Sequence, residues 1–410
     1  MISISDTLLK SLIVFFSLAV YQISIGGIPL TIDRLILLFS LPAAGYLALK
    51  RLNKISLESF FYTLFIGYAL VISTLYGSNF SSYGNMLIVS VMFFYVSRSF
   101  WAVSKMSIPD LKGTIYLLTI ILLSFSLYTL IIYFITSKPP LYLPFEQSFS
   151  FISSEGLHVI EEGGFGLGIL TRVALPFARP QDLGMTCAIL SLILLSKKAN
   201  TSKLIFTILF LCLMLSASRS AIFPFLVSLS IFYVIKYGWG YFFRLSIISI
   251  ASTTLIGFTL FAFFGNILDF FLLILDSISR VGDIFSGSST DRHFSVRFTT
   301  FEMIFGSLSQ TIFGSGIGSF QEKTGFSSAH STYVTLFHDV GLLGLLFFLT
   351  PLITLAQKAI RYRKIAPEYL AIVTYIFLAH FLYEVPNLLI FWIVTGILSS
   401  QMTYSKIKNV

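Results

Sequence analysis

Apolar runs of about 20 residues recur from one end of this chain to the other. Each is long enough to cross the ~30 Å hydrocarbon core of a bilayer as a helix. An apolar run of that length has few other folds open to it, because a helix satisfies its own backbone in lipid. Charge is correspondingly scarce: 11% of residues are charged, against roughly 25% in soluble chains. The expectation is an all-α polytopic membrane protein of about 12 transmembrane helices, with 1–410 forming one integral membrane domain. The predicted spans are 9–30, 32–50, 58–76, 84–104, 113–136, 181–196, 204–217, 219–236, 243–264, 338–357, 367–383 and 386–402. The first is read as uncleaved, because no small-x-small cleavage site follows it. Cys187 and Cys212 lie inside apolar runs and read as packing residues rather than a disulfide.

The basic residues orient these spans. With both termini inside, the outer segments hold only Arg34, Lys138, Arg172, Arg179, Arg219, Arg280, Arg292, Arg297 and Lys323 of the 27 Lys and Arg. All the rest fall inside, and every short inner loop is basic, as the positive-inside rule requires. The net charge of +9 therefore reflects cytoplasmic loops rather than a nucleic-acid partner. Two long outer loops break the short-loop pattern, at 137–180 and 265–337. Loops of that length in a compact protein are usually functional or unstructured, so the working face is expected on the outer side of the cytoplasmic membrane. No nucleotide-binding fingerprint is present. The run Gly163-Gly164-Phe165-Gly166-Leu167-Gly168 lacks the preceding strand that a phosphate cradle needs, and reads as a loop hinge.

The second loop is the most patterned stretch. It carries Arg292 and Arg297, then an amphipathic segment over 294–308, then the turn Gly314-x-Gly316-x-Gly318, and it ends at His330 where a new apolar helix starts. Arg297 shares a helical stripe with Phe294 and Phe301. A charge on an apolar face needs a partner: either a carboxylate such as Asp291 or Glu162, or an anionic ligand. Arg172 and Arg179 flank Phe177 and Pro180 just before a span, as an anion site or as a solvated basic rim. Arg219 sits at the turn Ser216-Ala217-Ser218-Arg219-Ser220 between two helices of about 15 residues, each reaching only about 22 Å. A turn that shallow is recessed below the outer surface, where a charge lines a polar cavity or snorkels. Ser218 suits the N-cap of the outgoing helix, which would put Arg219 at a positive helix end.

Two histidines compete for a general base. His330 would stand about 12 Å above the membrane surface and titrate near neutrality. His338 is followed by Asp339, but adjacent helical residues do not face each other, so Asp339 is expected to orient it poorly. No His/Cys/Asp/Glu cluster has metal-ligand spacing, and no cofactor or metal is expected. Several arginines around an outward cavity suit a lipid-linked phosphate or pyrophosphate.

These residues resemble the O-antigen polymerase and O-antigen ligase superfamily. The resemblance covers about 165–350 and lies in the outer loop with Arg297-x-x-x-Phe301 and Gly314-Ser315-Gly316, in the His330-Ser331 pair leading a helix to Gly341-x-x-Gly344, and in Ser218-Arg219. Arg172, Phe177 and Pro180 are similar to its Arg-to-Asn-Pro-Asn segment, with Arg179-Pro180-Gln181 in place of Asn-Pro-Asn; Ser331 stands where the family has Asn. The resemblance implies a metal-independent C-type glycosyltransferase with an undecaprenyl-diphosphate-linked oligosaccharide donor, membrane lipid around it, and a chain-length regulator and a flippase as partners. By the resemblance Arg172, Arg219 and Arg297 would hold the diphosphate and His330 would deprotonate the acceptor hydroxyl; Arg179, Arg292 and His338 are further substrate-binding candidates from the residues alone. A ligase acting on lipid A-core shares this chemistry. A lipid-linked oligosaccharide flippase is the alternative from another class, but it should carry polar groups at its midplanes and lack long outer loops.

Overall fold

The computed structural model describes residues 4–15, 21–25, 28–50, 56–76, 82–104, 108–136, 150–151, 176–177, 180–195, 200–216, 218–244, 246–247, 303–305, 307–324, 331–383 and 388–403. The described residues are overwhelmingly helical. In chain order the helices are α1 Ile4–Phe15, α2 Ile32–Lys50, α3 Leu57–Leu75, α4 Ser82–Val103, α5 Lys112–Thr136, α6 Pro180–Leu194, α7 Asn200–Leu215, α8 Arg219–Tyr237, α9 Leu308–Phe313, α10 Ser319–Thr324, α11 Thr332–Tyr362, α12 Pro367–Leu382 and α13 Leu389–Thr403. Leu57–Leu75, Lys112–Ile132, Ser220–Tyr237 and Thr332–Tyr362 are long and apolar enough to cross a membrane; six further apolar helices are shorter.

The first predicted span is divided. Residues 9–30 do not form one helix: α1 ends at Phe15, and Tyr21–Ile25 (β1) pairs antiparallel with Ile28–Thr31 (β2), Ile23 opposite Leu30. Ser150–Phe151 (β3) adds to β1, giving the order β2-β1-β3. The expectation of helix alone therefore needs this small sheet added. Its cause is local: the two residues between the strands are Gly26 and Gly27, a hairpin pair, and Pro29 follows. The predicted span 243–264 lies mostly outside the described residues.

The core sits where α3, α4, α11, α12 and α13 meet. Tyr62 packs edge-on to Phe94 at 4.8 Å between ring centroids and lies 5.5 Å from Trp392. Phe348 stands 5.3 Å from Phe65 and 5.7 Å from His380. The small side of Gly396 lets α13 close on the backbone of α4 near Phe94 and Ser97. Close approach through small residues is the usual way helices associate where lipid competes for apolar surface.

Contacts sort the helix ends into two groups. At one end Ser104 bonds Asp6, Lys358 bonds Glu58 and Thr403, Trp101 bonds Gln401, and Lys236 lies within electrostatic reach of Glu368. At the other end Ile317 N–H donates to Ser73 Oγ, and Thr332 donates to the Tyr383 carbonyl through both its N–H and its hydroxyl. Helix α8 has Lys236 at the first end, so Arg219 lies at the second. Cys187 and Cys212 are buried and free, and Ser126 Oγ contacts Cys212 Sγ at 3.8 Å. Their packing role agrees with the sequence reading.

Candidate functional site

Among the predicted site residues, His330, Arg172, Arg179, Arg292 and Arg297 lie outside the described residues. Arg219 is the first residue of α8, and Ser218 occupies its N-cap with extended backbone angles. The Ser218 hydroxyl does not cap the helix, however; it pairs with the Ser220 hydroxyl at 3.2 Å. Gly184 of α6 lies directly beneath this turn. A Cβ there would come within 2.5 Å of Ser216 Oγ and 3.0 Å of the Ala221 Cβ. Nothing in the sequence marks Gly184 as the residue that lets α6 seat the Arg219 turn.

The helical stripe expected over 294–308 does not continue through its end. Ser307 is extended and N-caps α9, its Oγ accepting from the Gln310 N–H at 3.2 Å. Leu308 therefore starts a new helix and is 78% exposed, whereas Ile304 is buried.

The glycine turn and the helix after it form one constellation. Gly314, Gly316 and Gly318 all have positive φ (85°, 94° and 87°), and Gly341 inside α11 has φ 63°. Residues with a Cβ rarely adopt that conformation. At Gly341 the helix is interrupted, and there the two backbones cross. A Cβ on Gly314 would fall 2.4 Å from the Asp339 carbonyl oxygen, and one on Gly341 would fall 2.5 Å from Gly314 N. Freed by the break, the Asp339 carbonyl accepts from Ser315 N–H (3.1 Å) and Gly316 N–H (2.8 Å).

The Asp339 side chain completes the joint. Its Oδ2 accepts from Gly318 N–H at 2.8 Å; its Oδ1 accepts from Phe320 N–H at 3.0 Å and from the Ser319 hydroxyl at 3.1 Å. Successive N–H groups around positive-φ glycines make an anion-binding nest. Here the chain's own carboxylate fills it. The turn is therefore a dock for the first part of α11 and has no free cradle for a phosphate.

His338 is the predicted residue this constellation fixes. It is buried, its Nδ1 stands 3.0 Å from Asp339 Oδ1, and its ring meets Phe320 edge-on at 5.6 Å. This corrects the expectation that Asp339 orients His338 poorly. The helical spacing rule assumes side chains that project freely outward; here both turn toward Ser319, and the ring nitrogen nearest the backbone reaches the carboxylate. With the proton on Nδ1, the ring donates to Asp339 and Nε2 keeps its lone pair. Ser319 Oγ lies 3.4 Å from the same Nδ1 and donates to the carboxylate. Ser, His and Asp thus meet without forming a nucleophilic triad, which needs the serine on the opposite ring nitrogen. The sequence reading missed Asp339 as the hub; its only signal was an acid two residues before a glycine.

Asp339→Asn is expected to lower stability by about 1–3 kcal/mol, because the amide nitrogen cannot accept and one buried N–H of Gly318 or Phe320 loses its partner. Thermal unfolding in detergent checks this; an unchanged midpoint would remove Asp339 as the anchor.

Two helical turns before Asp339, Ser331, which directly follows His330 in the chain, is buried at the N-cap of α11. Its hydroxyl makes no hydrogen bond among the described residues.

Apolar bundle and buried polar joint together define a helical membrane protein. In comparisons with known proteins, no family model and no curated relative matches the chain.

Proposed function

We propose that this chain is an O-antigen polymerase, or a polymerase of a related surface polysaccharide, joining undecaprenyl-diphosphate-linked repeat units on the periplasmic face of the inner membrane. The carrying observation is that three elements share one end of the bundle. The start of α8 with Arg219, the start of α11 directly after His330, and the glycine turn all belong to the second group of helix ends. In sequence these elements lie up to about 110 residues apart. They are also the elements that carry the resemblance. The sorting of ends supports an alternating arrangement with a basic inner side, since Lys236, Lys358 and the basic turn after it gather at the opposite end.

In this reading His330 takes the proton of the acceptor hydroxyl. The hydroxyl oxygen attacks the anomeric carbon, and undecaprenyl diphosphate leaves. Arg172, Arg219 and Arg297 meet the charge that develops on the leaving group, with Arg179 and Arg292 beside them; fixed cations stabilise such a group electrostatically. The Ser319–Asp339 joint keeps His338 buried and held, which suits a positioning role.

The test supplies the purified protein with one lipid-linked repeat unit and no other acceptor, and follows product length on a gel. A ladder is expected from the parent protein, and His330→Ala should reduce its rate by about 10²–10⁴-fold, the usual worth of a general base. Loss of the ladder in His338→Ala with His330→Ala intact would move the base to His338. Transfer only after lipid A-core is added would make the protein a ligase. No transfer in either arrangement would sink the enzyme reading in favour of a flippase.

A further inference from the structure

We propose that the end of the bundle opposite the glycine turn carries a binding surface for anionic phospholipid headgroups, built by residues 232–244 together with the turn 361–365. It rests on the helical membrane class and not on the proposed chemistry.

Helix α8 stops at Tyr237 because Gly238 turns the chain (φ 83°), its N–H returning to the Val234 carbonyl. A further helical turn begins at once, Phe242 N–H donating to the Gly238 carbonyl. This double turn displays aromatic rings outward. Tyr233, Tyr237 and Tyr241 form a column with centroids 5.9 Å and 4.8 Å apart, and Trp239 stacks on Phe243 at 5.8 Å. Trp239 is 63% exposed, with Tyr241 and Phe243 also exposed. An open aromatic patch of this kind is costly in water. At a membrane interface it is favourable, because Tyr and Trp present an apolar body and a polar edge at headgroup depth.

Cations surround the patch. Lys236 Nζ stands 4.7 Å over the Phe232 ring and 5.4 Å from that of Tyr237. Arg244 is exposed on the outgoing turn. Helix α12 packs along α8, and Glu368 in its first turn lies within electrostatic reach of Lys236. The turn just before α12 thereby brings Arg361, Arg363 and Lys364, all exposed, to the same end. Glu368 offsets part of the Lys236 charge; the remaining four cations are exposed at the same end as the aromatics. Guanidinium and ammonium groups at headgroup depth select phosphate-bearing, net-negative lipids over zwitterionic ones.

The chain reports on this site by itself. It has three tryptophans, and Trp101 and Trp392 are buried, so Trp239 is the exposed one. The full-length protein is reconstituted in phosphatidylcholine nanodiscs with increasing brominated phosphatidylglycerol or brominated phosphatidylcholine, and tryptophan quenching is followed. Brominated phosphatidylglycerol is expected to quench at about fivefold lower mole fraction, and the preference should vanish in 1 M salt. A variant with Arg244→Gln, Arg361→Gln, Arg363→Gln and Lys364→Gln should lose the preference while keeping quenching itself, and Trp239→Phe should lose the signal. Equal quenching by the two lipids in the parent, or a preference that survives in the four-site variant, overturns the proposal.

Discussion

Gly341→Ala is expected to destabilise the protein by about 3–5 kcal/mol, combining the cost of left-handed backbone for a residue with a Cβ and that of overpacking a closed contact. The new methyl would lie 2.5 Å from Gly314 N and 2.5 Å from the Ile312 carbonyl oxygen. Both are backbone atoms, so no side-chain rotation relieves the clash. Relief requires α9 and the glycine turn to lift away from α11, which breaks the bonds from Ser315 N–H and Gly316 N–H to Asp339. Gly314→Ala meets the same crossing from the other side, so the double variant should cost clearly less than the sum of the singles. Leu342→Ala, at a 44% exposed neighbour in the same helix, is the control and should cost little. Thermal unfolding in detergent measures all four variants. A Gly341→Ala midpoint equal to that of Leu342→Ala would show that the crossing is not closed.

The second large effect lies at the opposite end. Glu58 is fully buried and accepts from Lys358 Nζ at 2.5 Å through Oε1, while its Oε2 makes no hydrogen bond among the described residues. Lys358 also donates to Thr403 Oγ1 at 2.9 Å, so one ammonium ties α3, α11 and α13 together. Lys358→Met leaves the carboxylate buried and unpaired, and should cost about 3–5 kcal/mol. Glu58→Met leaves only a lysine whose side chain is 24% exposed and can reach water, so it should cost less. Replacing both by methionine should recover most of the loss, because a buried ion pair contributes little beyond a well-packed apolar pair. Strict additivity of the two single changes in unfolding experiments would rule out the pair as a unit.

The helices were legible in the sequence because their determinants are local. The span read as 58–76 is α3, and the one read as 219–236 is α8. In each, an apolar run begins after a serine in the N-cap position, Ser56 or Ser218, though only Ser56 makes the capping hydrogen bond. The first run misled because Gly26-Gly27 and Pro29 matter more to the backbone there than hydropathy does. The glycine turn was also legible as a turn, since alternating glycines announce positive φ.

The tertiary structure alone decided what that turn holds. The Asp339 carboxylate is about 20 residues from the N–H groups it accepts, and its backbone carbonyl is free for Ser315 and Gly316 only because the helix breaks at Gly341, where Gly314 crosses it. Hydropathy and periodicity report on neighbours within one or two helical turns. They assigned a helical membrane protein and the approximate ends of helices such as α3 and α8. They could not show that a carboxylate would fill the glycine nest or that His338 would be held beside it, because those bonds join backbones that meet only after the helices have packed.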